Sequence, residues 1–288
     1  MALASMSEIF ERMARNGQEF WEVVLADDMD ERQVSREASM AKMLTTWQAM
    51  QDAADSYTGR KRSVSGLVGG DGMKMRQYTF RGCAMTGGYV SEVIAEALSM
   101  AESNACMRRI VAAPTAGACG VLPAVLLPLC KYEELTQHQL LEALYVAAGI
   151  GSIIAYKASI AGASGGCQAE IGTASAMAAG ALVALRGGEG EQIGHAVAMA
   201  LKNLMGLVCD PVAGLVEVPC VKRNVIGAMD ALSAAQMALA GIESRVPPDQ
   251  VLDAMAEVGQ SLPHTLRETG KGGLAATPFG LEYAPKEP

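Results

Sequence analysis

Seven cysteines offer the most chemistry in this 288-residue chain: Cys83, Cys106, Cys119, Cys130, Cys167, Cys209 and Cys220. Their number is odd, their spacings are wide and no CxxC pair occurs. Neither a disulfide framework nor a zinc-finger or ferredoxin spacing is written in them. Local context separates them. Cys167 follows Gly165-Gly166 and opens an apolar, helix-forming run. A helix N-terminus lowers a thiol's pKa and favours the thiolate that binds metals. Cys209 and Cys220 bracket a loop with two prolines and a glycine, Pro211, Gly214 and Pro219, and Cys220 again precedes a helix-like segment. Three thiolates on loop–helix junctions can converge on one metal centre. Cys83, Cys106 and Cys130 read as small core residues. Cys119 lies between the two readings, in the loop Pro114-Thr-Ala-Gly-Ala-Cys-Gly120. His138, His195 and His264 are too few for a His-rich zinc site, and spacing ties neither His138 nor His195 to the cysteines. Both read as structural.

Other motifs point to other reaction classes. Gly162-Ala-Ser-Gly-Gly166 fits the G-x-S-x-G nucleophile elbow of serine hydrolases. That elbow needs a strand before Ser164, and the alternating strands of such a fold are missing from the pattern. Gly270-Lys271 lacks the upstream glycine and following Ser/Thr of a P-loop, and Gly149-Ile-Gly151 lacks the third glycine of a dinucleotide fingerprint. Lys157, Lys202 and Lys222 are the candidates for a Schiff base with pyridoxal phosphate, although nothing singles one out.

The elements that position these residues read as helices. Half the residues are hydrophobic but only 5% are aromatic, so the core is built from Ala, Leu, Val, Ile and Met. Ala, Leu and Met favour helix over strand. Amphipathic helices are expected over 5–25 and 31–56, then a Gly/Ser-rich loop over 63–72 and a helix over 88–103. A second loop spans 112–120 and opens onto an apolar helix to Leu129. Thr136 and Gln139 form a capping-box pattern for a helix through Val146, and 149–160 is ambiguous between helix and strand. A loop over 160–166 leads to helices at 167–186 and 190–205. A further loop spans 206–219, and helices follow at 221–240 and from Pro247 to Gly259. The tail after His264 is rich in Gly and Pro. The expected fold is all-α: one helical domain with several glycine-rich loops, residues 1–60 forming N-terminal helices packed on a unit spanning 61–288. Glycine-rich loops let backbone approach a ligand closely.

Charge and hydropathy exclude other classes. A net charge of −8 argues against nucleic acid as the main partner. The uncharged run from Ile110 to Cys130 is long enough to span a membrane, but Pro114, Gly117, Gly120, Pro123 and Pro128 punctuate it. A buried loop running into a buried helix fits it better. The first segment is charged and amphipathic, unlike a signal peptide, so a reducing cytoplasm is the expected compartment.

The loops together resemble a known family. SGLVGGDGMK (65–74), RIVAAPTAGACGVLP (109–123), ASIAGASGGCQAEIGTASAMAAG (158–180), LKNLMGLVCDPVAGLVEVPCVKRN (201–224) and LRETGKGGLAATPFG (266–280) are similar to the iron–sulfur-dependent L-serine dehydratases, specifically the α subunit of the two-subunit form. Positions 157, 161 and 164 depart from it, carrying Lys, Ala and Ser where relatives more often carry Asn or Arg, Ser, and Glu or Ala. The resemblance implies a [4Fe–4S] cluster on Cys167, Cys209 and Cys220, the trio selected by loop context. Three ligands leave one iron open as a Lewis acid for the substrate hydroxyl. It implies L-serine as substrate, pyruvate and ammonia as products, and a hetero-oligomer with a β subunit. It further implies that backbone N–H groups of the loops at Ser65, Gly70 and Asp71 and at Thr115, Ala116 and Gly117 hold the substrate carboxylate. Some single-chain relatives end in a cysteine that caps the open iron; this sequence ends in Ala-Pro-Lys-Glu-Pro, so that self-inhibition is not expected. No residue stands out as the base, and a partner chain is the expected source. The alternatives are an L-threonine dehydratase or a cysteine desulfidase-like lyase, a pyridoxal-phosphate lyase or serine hydrolase, and a non-catalytic helical module.

Overall fold

Ser5 starts the first helix by accepting the N–H of Glu8 on its hydroxyl, and α1 (Met6–Asn16) ends where Gly17 turns left-handed at φ 64°. In the computed structural model, residues 3–284 are described; the terminal Pro-Lys-Glu-Pro lies outside them. Glu19 and Glu22 form a reciprocal capping box that starts α2 (Phe20–Arg32). Ser35 caps α3 (Arg36–Asp55). The two helices expected over 5–25 and 31–56 are therefore three. Amphipathic periodicity runs across both breaks, and only Gly17 and the αL residue Gln33 mark them.

A helix that the local pattern does not announce follows, α4 (Asp71–Phe80). Its start is capped from a distance. The buried Glu102 carboxylate accepts the N–H groups of Gly70, Asp71 and Gly72 at 3.0, 2.7 and 3.4 Å. Glu102 belongs to α5 (Gly87–Ala105). Next come α6 (Val121–Tyr132) and α7 (Gln137–Lys157), the latter opened by the expected Thr136/Gln139 capping box. The ambiguous stretch after Gly149 is the continuation of α7. Glycines at 149 and 151 permit close packing there, because a Cβ would run into Val24 and Met177. Helix α7 is long and apolar enough to cross a membrane, yet most of it is buried inside the protein. The uncharged 110–130 run is a loop plus the 12-residue α6, shorter than the ~20 residues a spanning helix needs.

The remaining elements are α8 (Gly162–Gly165, a single turn), a π-helical turn (Gln168–Gly172), α9 (Thr173–Leu185), α10 (Gly190–Leu204), α11 (Cys220–Leu239), α12 (Pro248–Ser261) and α13 (Pro278–Glu282). Among the described residues there is no strand, as expected of an all-α chain; an isolated parallel bridge joins Cys209 to Arg267. Helix α9 is buried on every side and forms the axis, with α6, α7, α10 and α11 against it. Met6, Phe20 and Trp47 of the first three helices belong to the same apolar core as Ile150, Ile171 and Leu201. Small residues let the helices approach: a Cβ on Gly227 would lie 2.9 Å from both Ile171 and Val121. A polar pin crosses the core, where Asp230 of α11 accepts the Ser175 hydroxyl of α9 and the Asn203 amide of α10, both at 2.7 Å.

Candidate active site

The three selected cysteines come from separate junctions and meet in the interior. Cys167 precedes the π turn, and its neighbour Gln168 ties that turn to two other segments. The Gln168 N–H donates to Leu207 O at 2.9 Å, its Oε1 accepts the Gly206 N–H at 2.8 Å, and its Nε2 donates to Met255 O at 3.0 Å. Cys209 is fixed by the C-terminal segment: its N–H donates to Leu266 O at 2.9 Å and its carbonyl accepts the Glu268 N–H at 2.7 Å. Cys220 is the first residue of α11. Their exposures are 3%, 2% and 8%. Burial, with the charge of neighbouring groups, pushes Cys167 and Cys220 up to about 12. Cys209 is raised too, by burial first and then by the other two thiols, Glu170 and Glu268. The helix N-terminus was expected to lower the Cys167 pKa; burial outweighs it. Arg223 opposes that rise at Cys167, to which its guanidinium donates. It is itself held by Asp210 at 2.8 Å and by the Val208 carbonyl at 2.7 Å.

Two carboxylates share the space beside the thiols. An added Cβ on Gly162 would lie 2.9 Å from Glu170 Oε2, 3.0 Å from Cys209 Sγ and 3.1 Å from Glu268 Oε2. Only glycine lets these three groups approach one point. Glu170 Oε1 accepts the Thr115 hydroxyl at 2.7 Å. Burial raises its pKa, Thr115 opposes the rise, and Glu268 adds to it. Sequence reasoning did not single out Glu170. Its signal was there: it is the one charged residue between Lys157 and Arg186.

The two loops expected at the substrate differ. In the 63–72 loop the donors face protein carboxylates. Gly70, Asp71 and Gly72 give their N–H groups to Glu102. The Ser65 N–H and hydroxyl both go to the buried Glu217, which also accepts the Ser63 hydroxyl at 2.5 Å. The Asp71 carboxylate pairs with Lys74 at 2.7 Å and Lys222 at 3.2 Å. In the 114–120 loop the buried Asn224 amide holds both ends, donating to Gly117 O and accepting the Gly120 N–H, each at 2.8 Å. Among the described residues, no protein acceptor meets the N–H of Thr115, Ala116 or Gly117. Gly117 borders Glu170, since a Cβ on it would lie 3.0 Å from Oε1.

The other candidates lie elsewhere. Cys83 is exposed, Cys106 and Cys130 are half-buried, and Cys119 is buried with its thiol toward the Met100 carbonyl. His138 pairs with Glu142 and meets Trp21 edge-on, His195 accepts the Ser244 N–H, and His264 is exposed. Lys157 pairs with Asp249 and Asp253, Lys202 donates to Ser244 O, and Lys222 pairs with Asp71. Ser164 is exposed on the single turn α8, with no strand to form a nucleophile elbow. Among the described residues no three His, Cys, Asp or Glu side chains close on a single ion position. The cysteines of the trio are near enough that Cys209 feels the charge of the other two.

The family profile described as "Serine dehydratase alpha chain" matches residues 15–275. The chain is 46% identical over 265 residues to a probable L-serine dehydratase alpha chain of Bacillus subtilis (strain 168), covering 92% of this chain and 88% of that one. It is 39% identical over 279 residues to the L-serine dehydratase alpha chain of Peptoniphilus asaccharolyticus, covering 96% of each. It is also 46% identical over 181 residues to L-serine dehydratase 2 of Escherichia coli (strain K12), covering 62% of this chain and 40% of that longer one.

Proposed function

The chain belongs to the serine dehydratase alpha-chain family, and from that premise we propose that it converts L-serine to pyruvate and ammonia with a [4Fe–4S] cluster held by Cys167, Cys209 and Cys220. The observation that carries this reading is the convergence of three buried thiols beside a loop whose N–H groups have no acceptor. The donor set fits the group in kind: three buried, soft thiols, with a guanidinium beside one of them. When bound, the cluster supplies an iron without a protein thiolate, a Lewis acid for the substrate hydroxyl.

The chain's own residues do the rest. Arg223 offers positive charge to Cys167 and favours its thiolate form. The Thr115, Ala116 and Gly117 N–H groups, which meet no protein acceptor among the described residues, are offered to the substrate carboxylate. Burial keeps water from the reacting atoms and strengthens each polar contact. Loss of the α-proton and the hydroxyl leaves an aminoacrylate, which tautomerises to an imine and hydrolyses to pyruvate and ammonia. We assign the acceptor of the α-proton to a β-type second chain, because the histidines here are engaged elsewhere or exposed and the relatives carry the name "alpha chain". Seven free cysteines suit a reducing cytoplasm.

Co-expression with the β-type partner, anaerobic reconstitution with iron and sulfide, and a pyruvate assay test the reading. L-Serine should be turned over faster than L-threonine. Cys167→Ala, Cys209→Ala and Cys220→Ala should each lose cluster absorbance and activity, whereas Cys83→Ala should keep both. Full iron content and activity in the first three variants would reject the ligand assignment.

A further inference from the structure

Glu170 is a largely buried carboxylate with no cation of its own. Its neighbours are the Thr115 hydroxyl, the Glu268 carboxylate and the Cys209 thiol, and among the described residues no Lys, Arg or His pairs with it. A carboxylate has about four lone-pair positions, and Thr115 fills one. Charge held away from water without a partner is unfavourable, so such a group suits a cationic ligand. Across Gly117 from it lie the three N–H groups without acceptors. An anion acceptor and a cation acceptor therefore stand side by side. An α-amino acid, which carries ammonium and carboxylate on one carbon, needs that pair, whereas a hydroxy acid without the amino group needs only the N–H row.

We infer that Glu170 receives the α-ammonium of the substrate and makes the site select amino acids over hydroxy acids that lack it. This rests on the function proposed above. Thr115 has two parts in it: its N–H belongs to the row, and its hydroxyl aims the carboxylate. Gly162 and Gly117 keep the approach to that carboxylate open, since a side chain at either position would occupy it.

The test uses the iron-loaded chain with its β-type partner, with L-serine as substrate and 3-hydroxypropionate, which has no ammonium, as competitive inhibitor. Glu170→Gln should raise KM for L-serine about tenfold or more, the weight of one charged hydrogen bond. Its Ki for 3-hydroxypropionate should stay within about twofold of wild type, since the inhibitor never used that bond. Glu170→Asp, which keeps the charge, should recover part of the preference. Equal weakening of substrate and inhibitor, or an unchanged KM with a fallen kcat, would overturn the inference while wild-type turnover still supports the parent reading. A wild-type complex that forms no pyruvate would overturn both. If Glu170→Gln does not melt cooperatively, Thr115→Val replaces it, and the same selective rise in KM is expected at smaller size.

Discussion

Arg223 and Asp210 form a charge pair inside the site wall, and removing one member strands the other. Asp210 is 4% exposed and, among the described residues, would keep the Leu274 N–H at 2.9 Å alone. Breaking a buried pair from one side costs about 3 kcal/mol or more. Arg223→Met should therefore lower the urea-unfolding free energy of the metal-free chain by about that amount. The double change with Asp210→Asn should recover much of the loss, because no charge is left unpaired. Iron uptake should stay impaired in both, since both lack the positive charge beside Cys167. Equal iron uptake by the double variant and wild type would remove Arg223 from the site's electrostatics. At this scale the sequence is legible for the cysteine trio, whose glycine and proline context differs from that of the other four. It is less legible for Glu170, Arg223, Glu102 and Glu217. A charged residue in a helical or loop pattern reads as solvated, and only the tertiary fold reveals which carboxylate turns inward to hold a loop.

Helices α9, α10 and α11 are held in register by a polar contact as well as by small side chains. Asp230 meets the Ser175 hydroxyl and the Asn203 amide but, among the described residues, no cation. Burial raises its pKa, with those two hydrogen bonds opposing. The folded chain then holds this proton more tightly than the unfolded chain does. The corresponding stability is present below the ordinary value of 3.8 and is lost as pH rises through the raised folded value. Asp230→Asn keeps the shape without the charge, so it should gain on wild type as pH rises. Thermal melts at pH 4 and pH 7 check this: the Tm difference, variant minus wild type, should be more positive at pH 7. A difference that does not change with pH would mean that the carboxylate titrates alike in both states. These three helices were legible because Ala-rich segments carry their own helix signal, and α10 adds a capping box. Helix α4 was hidden because its N-terminal N–H groups are satisfied by Glu102, 30 residues or so along the chain. The π turn was hidden because one residue of extra winding leaves no mark in composition.

The whole molecule joins its last third to its centre. In the sequence, the stretch after His264 reads as a loose tail rich in glycine and proline. In the fold it closes the wall around Cys209. Leu266 O and the Glu268 N–H bracket that cysteine's backbone, Leu274 N–H binds Asp210, and Glu268 reaches the space left by Gly162. The helical core does not depend on these contacts, since α9 is enclosed by α6, α7, α10 and α11. Deleting the residues after Ser261 should therefore divide the two properties. Far-UV circular dichroism should retain the helical signal and a cooperative melt. Anaerobic iron loading should fall to the level of Cys209→Ala, because the backbone that fixes Cys209 has lost its partners and a buried N–H without an acceptor costs about 1–3 kcal/mol. A truncated chain that loads iron as fully as the intact one would show that Cys209 is positioned by its own loop. A chain that loses its cooperative melt would show that the tail serves the core instead. The expected split, a standing core without a working site, follows from where the hydrogen bonds go: the core's backbone bonds are internal to its helices and its polar pin joins α9, α10 and α11, all before the tail, whereas the site's cross to the tail itself.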